Sequence, residues 1–341
     1  MELLPSTRFG RVRLAALTVV PATSVAVIGW AATAMPGTSF RGTPPDLTEE
    51  EAATRDRLVE TIKALTEDIG ERHHGEPESL GEAERYLTKR LEALELEVTR
   101  QPYLIDEVEV ANLEVRIEGT EDDLACLVVG AHYDTIDGTP GADDNASGAA
   151  ALVEVARLVK DHAFRHDLLL VLYTNEEPPS FQTESMGSVV HSTSMDERGD
   201  EVAAMLSIES VGFFTDEEGS QEVPRWLEPL YPDTGNFIAF VGDLRSRKLV
   251  KRCIASFREH AEVPSEALAA PAGVPGVGWS DHWSYWQRGY EALMVTDTAL
   301  FRNPHYHEDS DTLETLDLDV TARIVHGLAR VVVDLDAKKA D

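Results

Sequence analysis

Cysteine is nearly absent from this sequence: Cys126 and Cys253 are the two in 341 residues. Two thiols are too few for a disulfide framework or a thiolate metal centre, although one disulfide between them stays open. Cys126 sits in an apolar run and reads as a buried strand residue. Lysine is also scarce, with seven residues, so 23 of the 30 basic residues are arginine (30 − 7). Against them stand 62 acidic residues, for a formal net charge of −32. This balance excludes nucleic acid as a partner, because phosphate contacts need clustered lysine and arginine. An acidic excess with little lysine fits either a protein adapted to high salt, where screening blunts self-repulsion, or an ordinary acidic soluble protein. There is no internal repeat. The apolar content of 43% is that of a globular chain, long enough for a large core.

Long uncharged apolar runs are equally rare, and one stands out. Residues 14–35 carry no charge and follow Arg8, Arg11 and Arg13. At about 1.5 Å per residue the run is long enough to cross a bilayer core of about 30 Å. Basic residues before it and acidic ones after it place the N-terminus inside and the bulk of the chain outside. The rival is a cleavable signal peptide, with a small-residue site at "ATAM". We therefore expect residues 1–40 to be an anchor or signal segment, the anchor preferred, and the protein to be exported. On this reading "PGTSFRGTPPD" is a linker.

From there the pattern is regular. Two amphipathic helices, "EEEAATRDRLVETIKALTEDIG" and "ESLGEAERYLTKRLEAL", precede two alternating strand-like runs, "LEVTRQPYLI" and "VEVANLEVRIEG". Four short apolar runs follow, "LACLVVGA", "LLLVLYT", "AAMLSI" and "ALMVT", with helical patterns between them and a closing helix, "VTARIVHGLARVVVDL". Unbroken apolar strands alternating with helices predict an α/β fold, a three-layer αβα arrangement around a mostly parallel mixed sheet. Residues 41–341 are expected to form a single domain, with a lid-like insertion near 213–235.

Ligands of open α/β sheets bind beyond the carboxyl ends of the strands. The first apolar run leads to His132 and Asp134, the second to Glu176 and Glu177, the third to Glu209, and the fourth to Asp297 and "NPHYHEDSDT", with His305 and His307. Asp143 and Asp144 lie in the glycine-rich loop before a helix that Asn145 is placed to cap. A single strand-end histidine is usually packing or surface. Several strand ends that each supply His, Asp or Glu, and no cysteine, are not explained by solvation. Converging carboxylates repel unless cations compensate them. Mixed imidazole and carboxylate ligands suit zinc, whereas carboxylates alone would suit magnesium or calcium.

The ordered series H-Y-D, G-A-D-D-N-A-S-G, N-E-E, I-E-S-V-G, S-D-H and Y-H-E-D-S-D-T resembles metallopeptidase family 28 over roughly residues 60 to 335. These are di-zinc exopeptidases, aminopeptidases and glutamate carboxypeptidases among them, with the glutaminyl cyclases as relatives. The resemblance implies two zinc ions and peptide substrates. It implies that His132 binds one metal, Asp143 bridges both, Glu177 completes the first metal's set, Glu209 and His307 bind the second, and Glu176 is the general base. Asp134 would orient His132 from behind, Asp144 would be structural, and Asp281 would support the site or touch substrate. His305 is expected to be a bystander, and His73 and His74 a surface loop. An aminopeptidase is the expected activity; a carboxypeptidase using Arg288 or Arg302, a cyclase-like enzyme and a catalytically dead receptor ectodomain are the alternatives. Two departures from the family pattern appear: Glu209 stands where many aminopeptidases have aspartate, and "PPSFQTESMGS" is a longer link than usual.

Overall fold

The computed structural model describes residues 34–225 and 227–337. Nearly all of the apolar run at 14–35 therefore lies outside the described residues, and among those described no helix is long and apolar enough to cross a membrane. Helix α1 (Glu49–Lys63) begins at a capping box, in which the Thr48 hydroxyl accepts from Glu51 N while the Glu51 carboxylate accepts from Thr48 N. It continues as a π-helical turn to Ile69 and is followed by α2 (Pro77–Glu92).

Eight strands form one sheet: β1 (Val98–Ile105), β2 (Val108–Ile117), β3 (Cys126–His132), β4 (Leu168–Tyr173), β5 (Val202–Glu209), β6 (Ile238–Gly242), β7 (Ser265–Ala269) and β8 (Ala292–Thr296), in the order β1-β2-β4-β3-β5-β8-β6-β7. The four apolar runs read from the sequence are the central parallel strands β4, β3, β5 and β8. The antiparallel β6 and the edge strand β7 were not among them. β7 alternates buried with half-buried positions and makes no continuous apolar run, whereas β6, "IAFVG", is apolar and buried throughout and was passed over.

Successive residues of β3 feed two cores, as the period of two requires. Leu127, Val129 and Ala131 face a core shared with α1, α2, α3 (Gly148–Val159), α5 (Arg247–His260) and α8 (Leu318–Asp336). Cys126 and Val128 face a second core beneath α4 (Gly187–Arg198) and α6 (His282–Gln287). The sheet is covered on both faces, an αβα sandwich. Both cysteines are buried and free, which closes the disulfide question.

The chain goes from β3 to β4 on one side and then to β5 on the other. This reversal opens a crevice at the carboxyl ends of β3, β4 and β5, where such sheets bind ligands. The segment expected as a linker is instead packed against the body. Arg258 of α5 donates to Pro36 O and Gly37 O, Ser265 N donates to Ser39 Oγ, Arg323 donates to Pro45 O, and Met35 packs on the core.

Candidate metal centre

Three strand ends and two loops converge in the crevice. His132 is the last residue of β3, Glu209 the last of β5, and Glu176 and Glu177 follow β4 by three and four residues. His307 comes from the loop after α7 (Ala299–Arg302), and Asp144 from the turn Ala142–Ser147 that leads into α3.

Asp144 lies between two groups of ligand atoms. Its Oδ1 is 3.2 Å from His132 Nε2, which also lies 3.2 Å from Glu209 Oε2. Its Oδ2 is 3.1 Å from His307 Nε2, which lies 3.2 Å from Glu177 Oε1. His132, Asp144 and Glu209 form one set of atoms within 4.8 Å of one another; Asp144, Glu177 and His307 form another. One aspartate thus turns one oxygen to each set.

The expected bridge, Asp143, is not part of this arrangement. Its side chain points away, where Oδ1 accepts from Gly212 N at 2.9 Å and Oδ2 from Asn303 Nδ2 at 2.7 Å. The expected pairing is also corrected: Glu209 joins His132, and Glu177 joins His307. The reason is strand order. β5 is hydrogen-bonded to β3, so its terminal Glu209 lies beside His132, while Glu177, beyond β4, reaches across to the His307 loop.

The turn that aims Asp144 is held from several sides. Asp311 accepts from both Asp143 N and Asp144 N, at 2.9 and 3.2 Å. Asn145 Oδ1 accepts from Gly148 N at the start of α3, as its expected capping role requires, and also from Ser210 N just after β5. Gly141 has φ +59°, and a Cβ there would lie 2.3 Å from Asp144 O, so the entry to the turn needs glycine. Arg72, fully buried, donates to the carbonyls of Tyr133, Leu65, Gly70, Pro140 and Gly141. It lashes the β3 exit and the metal loop to the end of α1. Sequence reasoning passed over Arg72 and Asp311; the first lies in a stretch read as a surface loop, the second in a segment used only as a landmark for His307.

Asp134 was expected to orient His132. Its Oδ1 is 3.5 Å from His132 Nδ1, longer than a hydrogen bond. Both its oxygens accept from backbone instead, Oδ1 from Glu176 N at 3.1 Å and Oδ2 from Glu177 N at 3.2 Å. Asp281 is fully buried with both carboxylate oxygens unbonded, and its neighbour Ser280 donates to Glu209 Oε2 at 2.7 Å. His305 Nδ1 pairs with Ser310 Oγ, apart from both sets. His73, Glu71 and Asp137 make a looser cluster at the surface, in which His73 Nδ1 accepts from Gly75 N. Neither arginine proposed to hold a substrate carboxylate reaches the crevice. Arg302 is buried against Gln221 and the carbonyls of Gly235 and Phe237, and Arg288 bonds Thr193 at the surface.

The electrostatics are those of a site built for cations. Burial, reinforced by the charges of neighbouring carboxylates, pushes Glu176 well above the carboxylate range and Glu177 up to about 8. Burial likewise raises Asp281 to about 7. Burial opposes protonation of His132 and His307, yet facing carboxylates win: His132 rises well above its usual value, and Asp144 and Glu177 bring His307 up to about 10. Protons here do what metal charge would do. Buried Asp144 Oδ1, Glu177 Oε1 and His307 Nε2 make no hydrogen bond, as atoms reserved for a metal would not. The donor set of two imidazoles and three carboxylates fits zinc.

The crevice is lined by Asp144, Glu176, Glu177, Glu209 and His307 together with Pro178, Phe181, Trp279, Leu300 and Tyr306, and no lysine or arginine is among them. A second cavity of about 90 Å³ adjoins it behind Glu209, Trp279 and Tyr306. Its walls are Leu227, Val241, Leu268, Val274, Met294 and other apolar groups. The segment near 213–235, expected as a lid-like insertion, contributes Pro224 and Leu227 to the wall of this cavity.

A family model described as Peptidase family M28 matches residues 112–332. This chain belongs to that family. The M28 chain is 33% identical to an uncharacterized protein, YfbL, of Escherichia coli K12, over 81% of this chain and 87% of that one. It is 28% identical to a probable leucine aminopeptidase of Trichophyton verrucosum over 61% of its own length, and spans about half (52%) of that protein. Among solved structures, the M28 fold is shared with BSAP, a zinc aminopeptidase from Bacillus subtilis, at 13% identity, TM-score 0.67 and coverage of 84% and 96% of the two chains. It is shared also with a glutaminyl cyclase of Fimbriiglobus ruber, at 20% identity, TM-score 0.62 and coverage of 87% and 100%.

Proposed function

We propose that this M28 peptidase is a zinc-dependent aminopeptidase that removes large apolar residues from the N-termini of peptides. The observation that carries the reading is the division of Asp144, one oxygen towards His132 and Glu209, the other towards His307 and Glu177. Each set would hold one zinc. Zinc held there by His132, Glu209, His307, Glu177 and Asp144 would supply a water whose pKa falls from about 15.7 towards 7, together with Lewis-acid polarisation of the scissile carbonyl.

The chain's own residues do the rest. Glu176 lines the crevice beside both sets and takes no part in either, which suits it to accept the proton of the attacking water and return it to the departing amine. Asp134, by holding the amides of both Glu176 and Glu177, fixes base and ligand in one frame. The carboxylate-rich crevice attracts a free α-amine, and the lack of lysine and arginine on its walls leaves a substrate carboxylate without a partner. This favours the amino over the carboxyl end of the peptide. The apolar cavity behind Glu209 receives the first side chain. Export, anchoring through residues 14–35 and adaptation to high salt are parts of the same proposal, supported by the sequence alone.

The test is to express the full chain with zinc and follow release from peptides with leucine, alanine or glutamine first, each free and N-acetylated. Release from free peptides, fastest with leucine and abolished by chelation, is the expected result. Cleavage of acetylated peptides from the other end makes it a carboxypeptidase. Conversion of N-terminal glutamine to a cyclic product without hydrolysis makes it a cyclase.

A further inference from the structure

We propose that the solvent face of α5 is a docking surface for an anionic phospholipid bilayer, and that it forms, with the N-terminal apolar segment, a two-point attachment. The proposal rests on the anchor reading of residues 14–35.

The first observation is charge. Residues 245–252, "RSRKLVKR", hold five basic groups and no acidic one in a chain of net charge −32. Two of the seven lysines, Lys248 and Lys251, lie one turn apart here. Arg245 is exposed and pairs with Asp243, Arg252 donates to Leu335 O, and Lys248 and Lys251 make no ion pair among the described residues. Helix stability does not account for the placement. Cations at the first turns of a helix oppose its macrodipole, and the first turn of α5 has no acidic residue. Beside the basic group, Leu244 is one of the few exposed large apolar residues, 54% accessible. Basic side chains around a protruding apolar one are a common means of holding an anionic membrane surface.

The second observation is where the chain outside the structure ends. The described arm begins at residue 34 and is bonded to this same helix, with Arg258 of α5 holding Pro36 O and Gly37 O. The apolar run ends at Met35, at the start of this arm. Ten residues separate Arg258 from Lys248, about 15 Å along the helix. A helix lying along the bilayer therefore reaches it with its C-terminal end through the arm and with its N-terminal end through the basic group. Glu259 and Glu262, exposed near the arm, tilt the contact towards the basic end. β6 is antiparallel to β8, so the loop from Gly242 to Ser246 lies at the end of the sheet opposite the metal crevice. The crevice then opens along the membrane and stays accessible to soluble peptides.

The test uses the full chain in lipid nanodiscs of phosphatidylcholine alone, or with one-third phosphatidylglycerol. Lysine acylation is read residue by residue by mass spectrometry, with Lys63, Lys89 and Lys160 as internal references. Lys248 and Lys251 should be acylated about fivefold less in the anionic discs, the factor expected for a basic group at such a surface. The protection should vanish at about 1 M salt, where the Debye length is near 3 Å, and Leu244→Asp should weaken it. Equal acylation in both discs, with the chain retained by them, overturns the docking surface and leaves the anchor standing. If the chain does not remain with neutral discs, the anchor reading fails. Flotation with anionic vesicles then decides the surface alone: co-flotation with both lysines protected supports it, and its absence overturns it.

Discussion

Replacing Asp144 or Asp143 by asparagine separates the geometric reading of the metal loop from the one its sequence suggested. Asp144→Asn removes a negative group common to both sets, with Oδ1 and Oδ2 at 3.2 and 3.1 Å from the Nε2 atoms of His132 and His307. Loss of a mere supporting partner behind a ligand costs about 10- to 100-fold in metal affinity. Loss of the shared ligand should cost each ion more than about 100-fold, upwards of about 3 kcal/mol at 1.4 kcal/mol per decade. Asp143→Asn touches neither set. It keeps one acceptor but turns an amide donor towards Gly212 N or Asn303 Nδ2, a loss of about 1–3 kcal/mol of stability. Relief of the like charge of Asp297, whose carboxyl is raised by burial and by Asp143, offsets part of that loss. The assay is zinc content by mass spectrometry across buffered free-zinc concentrations, with thermal unfolding and leucyl-peptide hydrolysis on the same samples. Asp144→Asn should hold little zinc and be inactive at zinc levels that saturate the wild type; Asp143→Asn should unfold earlier but keep two zinc ions and activity. Two tightly held ions in Asp144→Asn, or their loss from Asp143→Asn alone, would refute the assignment.

Three further outcomes are expected. Glu176→Gln should keep its zinc and lose about 10²- to 10⁴-fold in kcat, the range for a positioned base; near-normal turnover would remove Glu176 from the chemistry. Ala299→Phe, which fills the apolar cavity, should lower kcat/KM for leucyl relative to alanyl peptides by about 10- to 200-fold, and an unchanged ratio at unchanged Tm would show that the first side chain binds elsewhere. His282 is fully buried, and burial lowers its pKa to about 4, against the opposing bond to Val277 O and the charge of Asp243. Its folded pKa lies below its unfolded one, so the fold has this contribution in full above pH ~6.5 and loses it as pH falls to about 4, some 3 kcal/mol in all. Denaturant titrations of wild type and His282→Gln at neutral and acid pH should show the variant losing less, a difference that cancels the metal site's own acid sensitivity; identical acid limbs would contradict the assignment.

Much of this protein was legible in the chain by itself. The four central strands are unbroken apolar runs because both faces of a parallel sheet are covered, and their ends display the ligand types because open sheets place sites there. His132, Glu177, Glu209 and His307 stood among the His, Asp and Glu residues that follow the apolar runs, and the resemblance to family 28 singled them out from Asp134, Glu176, Asp297 and His305. What the chain did not disclose depends on order in space. Glu209 pairs with His132 because β5 lies beside β3, and nothing local to either strand encodes that adjacency. Asp143 and Asp144 are chemically alike and adjacent. Only the closure of the loop, with Asn145 tied to Ser210, Asp311 tied to two amides and Arg72 tied to five carbonyls, turns the second inward and the first away. The sequence determines which side chains can bind metal and that strands present them. Tertiary structure decides which of them meet, because ligand sets are made by neighbours across the sheet, and the chain's own order is not the order of its strands.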